Sequence, residues 1–154
     1  MAASRRKSSN IEFRPFNEWA GHKVWNYQFK NGESIECLAM GSGWCSALTN
    51  FNQIRIFSQT GIQKHIISQG SPVVTMAGYE SLLAIVYHSG PGMFGSFQMR
   101  LKMVNMVNRD YRIIFDTECP VSRDANLVWL GFSEEGQLLS FDSEGVMRAF
   151  TFTS

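Results

Sequence analysis

Gln53–His88 reads QIRIFSQTGIQKHIISQGSPVVTMAGYESLLAIVYH, and four strand signals follow one another within it. Gln53–Ser58, Ile62–Ser68, Pro72–Gly78 and Leu82–His88 are each rich in β-branched or aromatic residues. Thr60-Gly61, Gly70-Ser71-Pro72 and Gly78-Tyr79-Glu80-Ser81 separate them as turn-forming clusters. In the first strand Ile54, Ile56 and Ser58 fall on one face and Arg55 and Phe57 on the other. The last two are nearly continuous apolar runs, the pattern of strands covered on both faces. No window repeats apolar residues at i, i+3, i+4 and i+7 over three turns, so the stretch predicts an all-β core.

The same signals continue on both sides. Upstream, IEFRPF at Ile11–Phe16 alternates, with Pro15 confining it to an edge or ending it early. KVWNYQF at Lys23–Phe29 sets Val24, Asn26 and Gln28 against Trp25, Tyr27 and Phe29. Asn31-Gly32 then predicts a hairpin into Ser34–Met40, and Gly43–Thr49 follows. Downstream of a glycine-rich loop at Ser89–Ser96 come Phe97–Met106, Tyr111–Asp116, Leu127–Phe132, Gln137–Phe141 and Val146–Phe152. Turns are expected at Asn108-Arg109-Asp110, Glu134-Glu135-Gly136 and Ser143-Glu144-Gly145, and Cys119–Asn126 is a connection. The total is thirteen strands.

These strands repeat. An apolar strand, a tight turn and a second apolar strand recur as IECLAMGSGWCSALT, VVTMAGYESLLAIVY and LVWLGFSEEGQLLSF. A third strand with basic residues follows each, as QIRIFS, QMRLKMV and GVMRAF, and a fourth follows twice, as IQKHIIS and DYRIIFD. Four antiparallel strands at a spacing of ~40–50 residues are the pattern of β-propeller blades. The expected fold is therefore a partial β-propeller of about three four-stranded blades, spanning residues 11–154 behind a basic, serine-rich tail over 1–10. The first strand of each unit, being the most apolar, is expected to be the buried inner one. Ile11–Phe29 supplies the outer pair of an earlier blade. An immunoglobulin-like sandwich is the competing architecture and accounts less well for the repeat.

Composition narrows the function classes. A chain of 154 residues with 44% hydrophobic and 18% charged residues is globular and one domain by size. A formal net charge of +1 leaves no global electrostatic footprint for nucleic acid or a membrane surface. Cys37, Cys45 and Cys119 are odd in number and irregularly spaced, against a secreted disulfide framework. No apolar run nears the ~20 residues of a membrane span, and no apolar stretch follows the basic start, so no signal peptide is expected.

No motif supplies a catalytic constellation, a cofactor site or a metal site. GPGMFG at Gly90–Gly95 is formally G-x-G-x-x-G, but a strand rather than a helix follows it, and no helix N-terminus would face a pyrophosphate. His22, His65 and His88 are dispersed, and Cys37 and Cys45 lack zinc-ligand spacing. Cys119, His88 and Asp116 form a nucleophilic triad on paper only, and Glu134-Glu135 reads as a solvated turn. Arg55, Lys64, Arg100, Lys102, Arg112 and Arg148 recur on outer-strand positions. They are either charge protection of blade edges or, as the alternative, a nucleic-acid-binding surface.

Several motifs together carry a resemblance. They are the R-I/L-F-x-x-x-G-I/V-Q-K turn at Arg55–Lys64, P-V-V-x-M-A-G at Pro72–Gly78 and V-Y-H-x-G-x-G at Val86–Gly92. W-L/I-G-F-S-x-E-G at Trp129–Gly136 and D-S-E-G at Asp142–Gly145 extend it. Over Ile35 to Phe150 the chain resembles the middle propeller region (the SepB-like region) of the replisome adaptors that combine WD repeats with an HMG box, whose fungal members are the minichromosome-loss and chromosome-transmission-fidelity proteins. The resemblance implies a six-bladed propeller in a homotrimer, a non-enzymatic scaffold linking the replicative helicase and GINS to DNA polymerase α–primase. It also implies a nuclear location and a role in sister-chromatid cohesion. The stretch lacks WD repeats, a second propeller half, the peptide-binding helical bundle and the HMG box, so their activities and binding residues are not carried over. Unmatched blade parts at both ends, with Trp44, Leu83 and Trp129 on open faces, predict self-association.

Overall fold

The computed structural model describes residues 8–16, 23–91, 97–106 and 111–152. Among these residues there are thirteen strands and no helix. In chain order they are β1 (Asn10–Phe13), β2 (Trp25–Gln28), β3 (Ile35–Gly41), β4 (Trp44–Thr49), β5 (Gln53–Ser58), β6 (Gln63–Ser68) and β7 (Val73–Tyr79). Then come β8 (Leu82–Pro91), β9 (Phe97–Asn105), β10 (Arg112–Glu118), β11 (Leu127–Phe132), β12 (Leu138–Asp142) and β13 (Met147–Phe150). The tail over 1–7, His22, Gly92–Ser96 and the Asn108-Arg109-Asp110 turn lie outside the described residues.

Strands pair with their neighbours in sequence. β1 and β2 form a two-stranded sheet, β3 to β6 and β7 to β10 form four-stranded sheets, and β11 to β13 form a three-stranded one. This is the up-and-down order of propeller blades. Two compact units result, one of Met1–Leu38 with Gly43–Gly70 and one of Ala39–Ser42 with Ser71–Ser154.

In the first unit the core joins β2 to the Phe57 face of β5. Ile11, Phe29, Ala47 and Phe57 are buried together, and Trp25, Tyr27, Ile35 and Cys45 pack against them. Phe57 lies 4.9 Å from the Tyr27 ring and 5.8 Å from that of Trp25, spacings at which aromatic pairs attract beyond their burial. In the second unit Ala77, Ala84, Val86, Leu101, Met103 and Cys119 close a core with Leu130 and Leu138.

One device shapes the hairpin turns. In Ser58–Gly61, Ser133–Gly136 and Asp142–Gly145 the fourth residue is glycine at φ near +80°. Its N–H donates to the carbonyl of the first residue, at 3.0 Å each time. The first residue's side chain accepts the N–H that follows the glycine: Ile62 to Ser58 Oγ, Gln137 to Ser133 Oγ and Val146 to Asp142 Oδ1. Serine and aspartate are selected because each is short enough to reach that amide.

Three expectations need correction. Asn31-Gly32 is a turn, with Glu33 N–H donating to Lys30 O, but it joins β2 to a strand of another sheet. Only Gly32, the second central residue, has positive φ there, whereas both two-residue hairpin turns, I′ and II′, need positive φ at the first. The strands buried on both faces are the inner strands β4, β5 and β8, not the first of each unit. An edge strand has a paired neighbour on one side only, and β3, β7 and β11 are such edges. For the same reason Trp44 on β4 and Leu83 on β8 are buried, and of the three residues expected to meet water only Trp129 on β11 is exposed.

Candidate interaction surface

The third strand of each sheet carries an arginine, and each arginine holds a carboxylate. On β5, Arg55 Nε and Nη2 donate to the two oxygens of Glu33 at 2.8 and 2.9 Å. Their side chains are 9% and 1% exposed. Gln63 and Gln53 accept further Arg55 protons, and the guanidinium lies over the Phe29 ring. On β9, Arg100 Nε donates to Asp116 Oδ1 at 2.7 Å, while Tyr87 Oη donates to Asp116 Oδ2 at 2.6 Å. Burial opposes the ionisation of Asp116, yet the Tyr87 and Arg100 bonds hold its carboxyl below the usual range. On β13, Arg148 Nη1 donates to Asp142 Oδ2 at 2.5 Å and Nη2 to Ser122 Oγ.

Asp142 also accepts from Ser122 N–H and Oγ and from the Glu144 N–H. Burial again opposes its charge, and the Arg148 and Ser122 bonds outweigh it, so the carboxyl sits far below its usual range. The effect is to tie the Cys119–Asn126 connection to the β12–β13 turn. In the first unit Asn50 does the corresponding work, accepting from Ser34 N–H and donating to Gly32 O.

Of the six basic residues seen in the sequence, then, Arg55, Arg100 and Arg148 are each paired with a carboxylate of the same unit, Arg55 buried and Arg100 partly exposed, and Lys102 lies 5.0 Å from the Tyr87 ring centre. Lys64 on β6 and Arg112 on β10 are exposed. The series is brought to no common surface by these contacts.

The remaining chemical candidates are dispersed. Asp116 is committed to Tyr87 and Arg100, and His88 pairs in register with Met99 on β9. Cys119 is buried, and that burial pushes its thiol up to about 11, only partly offset by Arg148. It is therefore no thiolate nucleophile at neutral pH. Burial likewise raises Cys45. Glu134 and Glu135 are exposed on their turn, with the Glu134 carbonyl accepting from Tyr79 Oη. Gly90 and Pro91 extend β8, and Pro91 is in register with Phe97 across the hairpin. No group of three His, Cys, Asp or Glu side chains placed to hold a metal occurs among the described residues.

What the sheets present outward is apolar. The ladders of β7 and β11 each slip after their first residue, at Val73/Thr75 and at Leu127/Trp129. A bulge turns the extra residue out of the ladder, and Val74 and Val128 are 36% and 61% exposed. Trp129 beside Val128 is 45% exposed, its ring folded over Gly131. Leu38 and Met40 are exposed on β3. The first strands are therefore apolar without being covered. Sequence alternation missed this surface, because a bulge leaves no mark in the residue pattern.

Comparison with known proteins places this architecture. A family model described as the middle region of the minichromosome loss protein, Mcl1, matches residues 1–154. The Arabidopsis thaliana Protein ENHANCER OF LHP1 1 is 39% identical over 147 residues, 95% of this chain and 15% of that protein. Human WD repeat and HMG-box DNA-binding protein 1 is 34% identical over 141 residues, 92% of this chain and 12% of its own length. Neither is an enzyme by name. The chain thus spans less than a sixth of these relatives. Among solved structures, HIRA residues 644–1017 superpose with a TM-score of 0.62 over 94% of this chain and 43% of that one, at 14% identity. That likeness concerns the fold alone and agrees with a partial β-propeller. With the family match running its whole length, this chain belongs to the family of the minichromosome loss protein Mcl1 middle region.

Proposed function

We propose that this chain is a non-enzymatic protein-interaction module of the nuclear DNA-replication machinery. In the longer family members it forms part of the scaffold that links the replicative helicase and GINS to DNA polymerase α–primase. The observation that carries the reading is the family match over residues 1–154. The exposed apolar residues Leu38, Met40, Val74, Val128 and Trp129 of the first strands support it, since exposed apolar surface of this kind is typical of protein contact sites. Self-association is part of the reading, and the homotrimer of the family is one form of it.

Nucleic-acid binding is the second reading, and the internal pairing of Arg55, Arg100 and Arg148 weighs against it. A single titration separates the two. Purified chain is immobilised and challenged with GINS, with polymerase α–primase and with duplex DNA at 50 and 200 mM salt. The proposal expects protein binding that changes little with salt and is lost on Val128→Asp. DNA binding that falls ~10³-fold or more across that range, as many phosphate contacts require, with no protein binding, would falsify it.

A further inference from the structure

Of the turns Ser58–Gly61, Ser133–Gly136 and Asp142–Gly145, the first two are each covered by an aromatic ring from another sheet. Trp25 on β2 lies over Gly61, where a Cβ would come within 2.7 Å of its Cγ. Its indole Nε1–H donates to the carbonyl of Gln59, the second residue of the turn, at 2.9 Å. In the other unit Tyr79, which ends β7, lies over Gly136, with its Cε1 2.7 Å from the Cβ position. Its hydroxyl donates at 2.9 Å to the carbonyl of Glu134, again the second residue. Each contact falls inside one compact unit. One joins the β1–β2 sheet to β3–β6, the other β7–β10 to β11–β13.

The chemistry of the turn accounts for the match. The second residue's carbonyl belongs to the central peptide of the turn, outside the i to i+3 bond, so it is open to a side-chain donor. Glycine, having no Cβ, leaves a flat surface beside that carbonyl. A ring with a donor at its rim meets both, which tryptophan and tyrosine do and phenylalanine does not. Both rings are held from behind. Trp25 is stacked on Phe13 at 5.7 Å and tilted against Phe57 at 5.8 Å, and Tyr79 is stacked on Phe132 at 5.5 Å. The third turn has the same backbone but nothing within 4 Å of the Gly145 Cβ position among the described residues.

We infer that these two rings are latches. Each holds a turn of the neighbouring sheet closed, so that the turn's amides open only when the ring leaves its seat. The sheets within a unit are thereby coupled at their turns as well as through the core. Glycine is required at the end of the turn because the ring occupies the place of a Cβ, in addition to the demand of positive φ. The inference does not depend on the proposed replication function.

Amide hydrogen exchange on the 154-residue chain separates a latched turn from general stability. Tyr79→Phe keeps the ring and its stacking but removes the donor, and Tyr79→Ser removes both. Gly136 and Gln137 N–H donate to Ser133 O and Oγ. They should exchange at least ~10-fold faster in Tyr79→Ser and about 3-fold faster in Tyr79→Phe. Gly145 and Val146 N–H, the matching amides of the uncovered turn, should keep their rates. Equal acceleration at both turns, or none at Gly136 and Gln137, overturns the inference. Urea unfolding reads the same coupling through a double-mutant cycle. Gly136→Ala should shift the midpoint less in Tyr79→Ser than in the parent, since no ring is left to displace, while Gly145→Ala should shift it equally in both. A Gly136→Ala shift unchanged by Tyr79→Ser rules the latch out. In the first unit the Trp25 indole N–H should be protected from exchange and lose that protection in Gly61→Ala; an indole that exchanges freely in the parent overturns the latch there.

Discussion

Replacing Glu33 by Gln should destabilise the first unit by about 3–5 kcal/mol, although the two side chains have nearly the same shape. Glu33 is 1% exposed and holds the 9%-exposed Arg55 through two bonds of 2.8 and 2.9 Å. Two unit charges about 4 Å apart, the centre-to-centre spacing such bonds imply, attract by roughly 4 kcal/mol at an effective dielectric of 20. Desolvation consumes much of that when the pair forms, so the pair as a whole adds little net stability. Removing one partner is different, because the cation stays buried without its counter-charge, and this typically costs about 3–5 kcal/mol. At ~2–4 °C per kcal/mol for a chain of this size, Glu33→Gln should lower Tm by roughly 6–20 °C in differential scanning calorimetry. If the two units melt separately, the loss should fall on the transition of the unit holding β4 and β5. Changing both residues to Met removes the charge along with its partner and should recover most of the loss. A Tm for Glu33→Gln within ~2 °C of the parent, or a double variant as unstable as the two single changes combined, refutes the reasoning.

Two further outcomes follow from the second unit. Gly136 and Gly145 have the same backbone, at φ +81° and +80°, but a Cβ on Gly136 would lie 2.7 Å from Tyr79 Cε1 and one on Gly145 would meet nothing within 4 Å. Both alanine variants carry the left-handed strain, roughly 1 kcal/mol, so urea midpoints should show Gly136→Ala as the worse by ~1–2 kcal/mol; equal midpoints would mean the Tyr79 ring simply moves aside. Cys119, its thiol raised to about 11 by burial with Arg148 in partial opposition, should react with iodoacetamide at pH 8 only at the rate of unfolding. Its raised pKa favours the folded state below about pH 8.5, the unfolded value, and that contribution is lost as pH rises toward 11; labelling as fast as that of Cys37 would contradict the burial.

Most of the secondary structure was legible because its signals are local. Pro15 ends β1 at Phe13, and the serine, aspartate and glycine positions of the turns announce themselves within four residues. Pairing was less legible. Asn31-Gly32 carries a hairpin signature, but the φ of Asn31 is settled by the surroundings of Glu33, which reaches Arg55 across 22 positions. The basic series was visible as a pattern, whereas its pairing was not, since Glu33 and Asp116 lie 22 and 16 positions from their arginines and Asp142, six before Arg148, reads as a turn residue. The exposed apolar surface at Val74 and Val128 was hidden for a third reason: the slip of the ladder depends on the partner strand.

The pairing of each strand with its sequence neighbour bears on how such a chain is made. Ladders that join consecutive strands close short loops, and a short loop loses little chain entropy on closure. Contact order within each sheet is correspondingly low for an all-β protein, which favours rapid formation. A ribosome releases the chain from its N-terminus at about 5–20 residues per second. The β3–β6 ladder has every partner it needs once Ser68 has emerged, and the β7–β10 ladder once Glu118 has. Neither sheet has to wait for the end of synthesis, so assembly proceeds sheet by sheet during translation, and the intervals in which a bare apolar strand is exposed to other nascent chains stay short.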